Sequence, residues 1–269
     1  MVGASGFLGR HLGPELLRRG HEVVGTSRDG RAGEALDVTD ADRCLDLVSR
    51  RDPEVVVNLA GAGVTAGSAD QSSMCDVNDH GPANLVRAAT LAGVRLVHVA
   101  SSTEPLPGML PESVYSKTKA DGTDQVARAM GEGVVPITIA RVHNAYGVDQ
   151  PHGRFIGDVI RAMASGGEFT LRYPGRVRDF CWVDEVTARL ADVTEGVVAP
   201  GAAYDVGTGV GLTLLEAAVI IRDAFGTPPA TLHWADGDAA DPAPESFAGV
   251  AGLALLEGPT TLADGLRHS

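Results

Sequence analysis

GASGFLGRHL, Gly3 to Leu12, is the stretch on which the reading of this 269-residue chain turns. It sets Gly3, Gly6 and Gly9 at even three-residue spacing and runs directly into a helical pattern. Glycines so placed allow a tight turn, leave backbone bare enough to approach a pyrophosphate, and bring the free N–H groups of a helix N-terminus onto its phosphates. Ser5, Phe7 and Leu8 fill the loop and are contact candidates with the three glycines. Small-residue turns before helices are common, so the motif is weak alone. It gains weight from HEVVG (21–25), a second strand at the expected distance. One departure matters: only Met1 and Val2 precede Gly3, where a full strand normally stands. That strand would lie at the centre of the sheet. The expectation is a start that falls late in the strand, or a short strand completed in an unusual way.

Outward from this loop, short β-like runs alternate with amphipathic stretches. The predicted strands are 21–25, EVVVNLA (54–60), VRLVHVASS (94–102) and VVPITIAR (134–141). Helices are predicted over 7–19, 41–50, 76–91 and 114–130. Strands separated by helices of this length imply right-handed crossovers and a parallel sheet. The unbroken apolar run of EVVVNLA suits a strand covered on both faces. The expected fold is therefore α/β: a Rossmann-type, doubly wound parallel sheet over residues 1–147, its first strand truncated. Beyond 148 the pattern breaks into Gly- and Pro-punctuated pieces, with helices expected near 153–164, 183–193 and 213–225. Residues 148–269 are read as a smaller substrate-binding lobe with some segments returning to the core.

Composition bounds the function. A net charge of -13 argues against a nucleic-acid or membrane surface, where basic patches are expected. No apolar run approaches the roughly 18 residues of a membrane span. MVGASGFLGR lacks the charged, apolar and cleavage regions of a signal peptide. Cys44, Cys75 and Cys181 are too few and too scattered for a disulfide frame or a zinc site, so no metal is expected and the compartment is read as cytoplasmic.

The second strand ends in GTSRDGR (25–31). An NAD enzyme usually carries an acidic residue at that point to hold the ribose hydroxyls. Ser27 and Arg28 stand there, with Arg31 close by, and a hydroxyl beside a guanidinium suits a 2′-phosphate. NADP(H) is therefore favoured over NAD(H); a polar turn with solvated arginines is the plainer alternative. Asp37, in LDVTD (36–40), would reach the adenine amine from the next strand end, or serve as a turn aspartate.

VYSKTKADG (114–122) holds both lysines of the chain, Lys117 and Lys119, among 22 basic side chains. Tyr115 and Lys119 are four apart and face the same way on a helix. An ammonium near a phenol favours the phenolate and is expected to lower its pKa from about 10 toward neutrality. A tyrosine so tuned exchanges a proton with a carbonyl or alcohol oxygen. VASSTEPLPG (99–108) supplies candidate hydroxyls at the end of the preceding strand. Lys117 points elsewhere and is read as surface.

Together GASGFLG, LDVTD, NLAG (58–61), VASST, YSKTK and RVHNAYG (141–147) resemble the extended short-chain dehydrogenase/reductases, the NAD-dependent epimerase/dehydratase group. GRVRDFCWVDEV (175–186) is similar to a further signature of that family, and YDVGTGVGLTLLE (204–216) to the segment after it. The likeness covers nearly the whole chain in the family's order. It implies Tyr115 as catalytic acid/base and Lys119 as its tuner and a ribose contact. It also implies Val38, Leu59, Ala60 and Gly61 as cofactor contacts. Thr103 matches the residue that binds the substrate oxygen, four residues before Pro107, which replaces the family's usual tyrosine; Ser102 is the alternative. A homodimer through the helices at 76–91 and 114–130 is implied by resemblance only.

Members with these segments generally act on nucleotide-diphosphate sugars, and Asn144 and Arg178 would contact the pyrophosphate. An ion pair of Arg178 with Asp179 or Asp184 is the competing reading. The family's 4,6-dehydratases follow the catalytic threonine with an Asp-Glu pair. Here Glu104 and Pro105 stand there, and proline transfers no proton. The resemblance and the residues lead to a nucleotide-sugar ketoreductase using NADPH, of the dTDP-4-keto-6-deoxyhexose 4-ketoreductase kind. A 4-epimerase with bound NAD is the rival enzyme, and a non-catalytic NADP-binding scaffold or sensor the rival of another class. His143 is expected to pack or to line a polar rim, and Cys181 to be core. Trp182 is open between lining the sugar site and buried packing.

Overall fold

The computed structural model describes residues 1–64, 67, 69–106, 108–225, 231–234, 254–255 and 259–268. Among them the main sheet is parallel throughout. Its order runs Glu34–Ala35, Thr26–Ser27, then the chain's first residues, then Val55–Asn58, Arg95–Ser101, Ile137–Val142, Ala203–Gly207 and Ala254–Leu255. Residues Met1–Ala4 take the central position. Val2 bridges Thr26 on one side and Asn58 on the other. Its N–H donates to the Val57 carbonyl (2.8 Å), Leu59 N–H returns to the Val2 carbonyl (2.9 Å), and Ala4 N–H donates to Thr26 (2.9 Å). Val2 thus joins the two halves of the sheet. The neighbouring strand is Thr26–Ser27, and residues 21–25 form no strand, a correction to the expected 21–25.

Both faces of the sheet are covered, as its apolar strands require. Along Arg95–Ser101 the side chains alternate with period two. Leu96 packs with Leu85, Ala88 and Val126 on one side, while Val97 and Val99 pack with Leu12, Leu16 and Leu190 on the other. The helix Phe7–Arg18 therefore lies against Val183–Glu195, and Arg19 fastens the pair by bonding Glu15, Asp192 and Glu195 (2.7, 2.6 and 2.8 Å).

The helix predicted over 76–91 begins earlier, at Gln71, and runs in three segments. Gln71–Cys75 and Gly81–Ala92 are α-helical, and Asp76–His80 between them is a π-turn. Pro82 explains the widening, because it has no N–H to return to the carbonyl of Asn78 four residues earlier. The helix Val114–Glu132 starts at Ser113, whose hydroxyl caps Ser116 N–H, and ends at Gly133 in the left-handed region (φ 65°). Beyond 143, Val177–Trp182 pairs with Asn144–Tyr146 in parallel and Gly211–Thr213 in antiparallel fashion. A separate core of Tyr146, Ile156, Phe180, Trp182 and Ile221 closes this part. Trp182 is buried there, edge-on to Tyr146, whereas Cys181 is buried in the core that holds Leu12 and Val186.

Candidate active site

Two adjoining cavities, of about 950 and 580 Å³, open at the end of the sheet where the glycine loop lies. They share Gly3, Gly6, Leu59, Ala60 and Gly61 as a common wall. The loop is close-packed from below. A Cβ on Gly3 (φ +80°) would meet Ala60 N at 2.8 Å, and one on Gly9 would meet the Gly3 carbonyl at 2.6 Å. The helix behind it starts at Gly6 with no side-chain cap and no acidic residue in its first turn. That leaves the N-terminal dipole and backbone N–H groups for an anion. This arrangement fits a dinucleotide pyrophosphate.

The larger cavity holds Ser5, Ser27, Arg28, Asp37 and Val38. Asp37 accepts from Thr39 N–H and hydroxyl (3.0 and 2.8 Å), so it braces its own turn while facing the cavity. Sequence reasoning passed over Asp29, which lines the same cavity. Its carboxylate accepts from the Ser27 hydroxyl (3.0 Å) and pairs with Arg31 (3.1 Å). Ser27 is thus engaged by an acid, and Arg28 shares its cavity with one.

The smaller cavity brings together Ser102, Thr103, Tyr115, Lys119, Asn144 and Arg178, with Phe7, Leu8 and Gly9 at the shared end. Thr103 and Ser101 hydroxyls lie 2.8 Å apart, and Tyr115 hydrogen-bonds Ser101. Ser116 Oγ donates to the Thr103 carbonyl (2.5 Å), tying that turn to the first turn of the helix bearing Tyr115. Ser101 was missed in sequence; it is two residues before Thr103, and the two side chains meet above the strand end.

The expected tuning of Tyr115 is corrected. Burial raises the phenol's pKa, and the opposing cation is Arg154, a further cavity residue the sequence reading did not single out. Lys119 is buried and donates to the Val99 carbonyl (3.0 Å); burial lowers its own pKa, against which Glu104 acts. A phenol held up in this way stays protonated at neutral pH and can donate to an oxygen. Lys117 is exposed and pairs with Asp121 (2.5 Å).

Arg178 is buried, with Glu112 as an acid beside it. It pairs with Glu112 (3.5 Å) and donates to the Val177 carbonyl (2.9 Å). Asp179 receives Thr208 Oγ1 (2.5 Å) and Gly209 N–H (2.9 Å), and Asp184 faces His11 (3.2 Å). His143 lines the cavity but is buried, with Nε2 3.5 Å from Asp205. Pro107 lies outside the described residues.

Asn78, fully buried in the π-turn, is the other residue missed. It accepts from Ala62 N–H (2.8 Å) and donates to the Ala62 carbonyl (2.9 Å) and Thr118 Oγ1 (3.0 Å). It joins the cofactor-side loop to the helix of Tyr115. An asparagine within a predicted helix, three residues before Gly81-Pro82, was the available signal.

Residues 1–207 match the family model described as the NAD dependent epimerase/dehydratase family. The chain belongs to that family. A UDP-glucose 4-epimerase of Mycolicibacterium smegmatis is 30% identical over 263 residues, covering 85% of this chain and 82% of that one. A dTDP-6-deoxy-L-talose 4-dehydrogenase (NAD(P)(+)) of Kitasatospora kifunensis is 26% identical over 254 residues, covering 85% and 79%. The Thermus thermophilus UDP-glucose 4-epimerase in complex with NAD superposes with a TM-score of 0.74 at 23% identity, covering 99% of this chain and 96% of that one, a likeness of fold. As an epimerase/dehydratase family member the chain has NAD(P)-binding relatives that modify nucleotide sugars. Among the described residues no helix is long and apolar enough to cross a membrane, and no cluster of metal-ligating side chains occurs.

Proposed function

We propose that the chain reduces a keto group of a nucleotide-diphosphate sugar, as a dTDP-4-keto-6-deoxyhexose 4-ketoreductase. The observation that carries this reading is the state of the residues after Thr103. Dehydration needs an acid and a base directed at the sugar. Glu104 instead turns inward, accepting the Ser101 N–H at 2.7 Å, and Pro105 transfers no proton. What faces the cavity is a protonated phenol beside two hydroxyls. That set suits giving a proton to an oxygen whose carbon is being reduced.

When bound, a reduced nicotinamide supplies the hydride to the carbonyl carbon. Thr103 and Ser101 orient the carbonyl oxygen, Tyr115 delivers its proton as the alkoxide forms, and the products are a secondary alcohol and oxidised cofactor. Arg178 and Asn144 would receive the pyrophosphate, for which a guanidinium gives paired bonds. The Kitasatospora relative, a 4-dehydrogenase of a dTDP-deoxysugar by name, supports this substrate class.

NADPH is the proposed reductant, through Arg28; Asp29 in the same cavity is the specific observation that favours NADH instead. The epimerase reading rests on the Mycolicibacterium relative and requires cofactor that survives purification and no net oxidation. A homodimer through the helices around 76–92 and 114–132 is proposed, with sedimentation as its check. The deciding experiment mixes the purified chain with a dTDP-4-keto-6-deoxyhexose and either NADPH or NADH, follows cofactor absorbance, and identifies the sugar product. Matched cofactor loss and a new deoxysugar support the reading. Interconversion of sugars without cofactor loss replaces it with epimerisation.

A further inference from the structure

Glu104 is a buried carboxylate that touches no proposed substrate position, yet it lies one residue from Thr103. Its backbone N–H donates to the Ser101 carbonyl (3.1 Å), and its carboxylate accepts the Ser101 N–H (2.7 Å). The two bonds close the turn that presents the Ser101 and Thr103 hydroxyls. On its other side the carboxylate hydrogen-bonds Thr123, four residues after Lys119 on the same helix face.

Thr123 ends a buried line of polar groups. Asn58 Oδ1 accepts Ala60 N–H (3.0 Å), in the wall shared by the two cavities. Asn58 Nδ2 can only donate, so His98 Nδ1 (3.1 Å) accepts and its proton lies on Nε2. That proton points to Thr123 Oγ1 (3.2 Å), leaving the threonine hydroxyl to donate to Glu104. Every donor runs toward the carboxylate. The order works only with His98 neutral, and burial and the Lys119 charge both push its pKa well down.

We propose that Glu104 is a positioning residue of this site: its inward carboxylate fixes the Ser101–Thr103 turn and is the buried counter-ion of Lys119. Facing this pair are His98 on the adjoining strand, Arg141 on the next and Tyr115 on the same helix as Lys119, while Arg154 faces Tyr115. His98 is neutral and Tyr115 a protonated phenol; burial pushes the Glu104 carboxyl up, and the Lys119 charge, the Ser101 N–H, Thr123 and Arg141 oppose that and favour its anion. The substrate-facing donors, the lysine and the cofactor-side wall are thereby set by one group. The inference rests on the keto-oxygen site proposed above, but its first test does not.

The chain has only two lysines, so protein labelled with 13C at lysine Cε gives two resonances, assigned by Lys117→Arg. In Glu104→Gln, which keeps the shape and loses the charge, Lys119 is expected to titrate lower than in the unmodified chain, with Lys117 unmoved. An equal midpoint in a folded Glu104→Gln chain overturns the counter-ion role. If that variant does not fold, the unmodified chain carries the test. Protonation of Glu104 on the acid side, before unfolding, must then shift Lys119 Cε and not Lys117, and no such inflection overturns it. In the ketoreductase assay Glu104→Gln is expected to lower kcat roughly 10- to 100-fold, the equivalent of one lost charge-assisted hydrogen bond, with the sugar KM held. An unchanged kcat overturns the positioning role. If the unmodified chain turns over no keto-sugar, the ketoreductase reading fails while the lysine titration still decides for or against Glu104.

Discussion

Gly122 is where the two helices beside the site come into backbone contact, and Gly122→Ala tests how closely. A Cβ there would lie 2.0 Å from the Asn78 carbonyl oxygen, 3.0 Å from its carbon and 3.1 Å from Pro82 Cγ. Real Cβ atoms essentially never come under 3.0 Å, so the helix and the π-turn must part by about 1 Å. The obstacle is backbone that Pro82 already holds out of the regular ladder, and no side chain can swing aside. Overpacking of this kind costs about 1–3 kcal/mol, and the gain in helix propensity from Gly to Ala returns only about 1. The net loss, up to about 2 kcal/mol, corresponds to a melting point lower by at most roughly 4–8 °C at 2–4 °C per kcal/mol. Displacement of Asn78 also strains its bonds to Ala62 and Thr118, so NAD(P)H affinity is expected to fall with stability. Gly131→Ala on the same helix is the control: nothing lies within 4 Å of its Cβ, and propensity alone should raise stability by roughly 0.5–1 kcal/mol. Paired calorimetric melts with cofactor titrations decide it. If Gly122→Ala melts above the unmodified chain, as Gly131→Ala is expected to, the close approach and the argument built on it are wrong.

Tyr115→Phe is expected to reduce turnover of the keto-sugar by roughly 10²- to 10⁴-fold while cofactor binding persists, measured by absorbance and by cofactor fluorescence. Unchanged turnover would remove Tyr115 from the chemistry. A thiol reagent should modify one cysteine of three in the native chain: Cys75 is half-buried, whereas burial pushes Cys44 up to about 12 and Cys181 well above its usual range. Rapid reaction of two or three thiols would contradict the packing. The Arg18 and then Arg19 guanidiniums hold Glu15 down at about 2 against an ordinary 4.5. Its contribution is therefore fully present above pH about 4.5 and lost as pH falls toward 2. Glu15→Gln should flatten the fall of melting temperature across that window, and an unaltered slope would show that the link to Val183–Glu195 contributes little.

The alternation of apolar strands and amphipathic helices was enough to place the sheet, because each strand is covered on both faces and reads as an unbroken apolar run. The strand at 21–25 was misplaced for a different reason. Its pairing is set by Val2 on one side and Glu34–Ala35 on the other, which no local pattern records. Tyr115 and Lys119 were legible from helical spacing alone, but spacing says nothing about the dielectric. Both side chains are enclosed, and desolvation decides the sign of their shifts. Ser101 and Asn78 were overlooked because hydroxyls and amides are judged by what they meet. Ser101 meets Tyr115 across a turn, and Asn78 meets Ala62 sixteen residues away. Glu104 read as half of a missing acid-base pair; only the direction of its side chain shows another use.

Those residues share one cause, the helix Val114–Glu132, and its two faces do different work. Tyr115, Lys119 and Thr123 recur every four residues and face the strand end and its turn. Thr118 and Gly122 recur at the same spacing on the neighbouring face and meet Asn78. A shift of the helix along its axis would change both sets of contacts together, separating Ser116 from the Thr103 carbonyl and Thr118 from Asn78. The glycine fixes how near the helix stands, the polar pairs fix how far along, and the buried Glu104 fixes the turn opposite. This is why the one glycine in the motif that follows Tyr115 is as restrictive as the tyrosine itself, although it contributes no functional group.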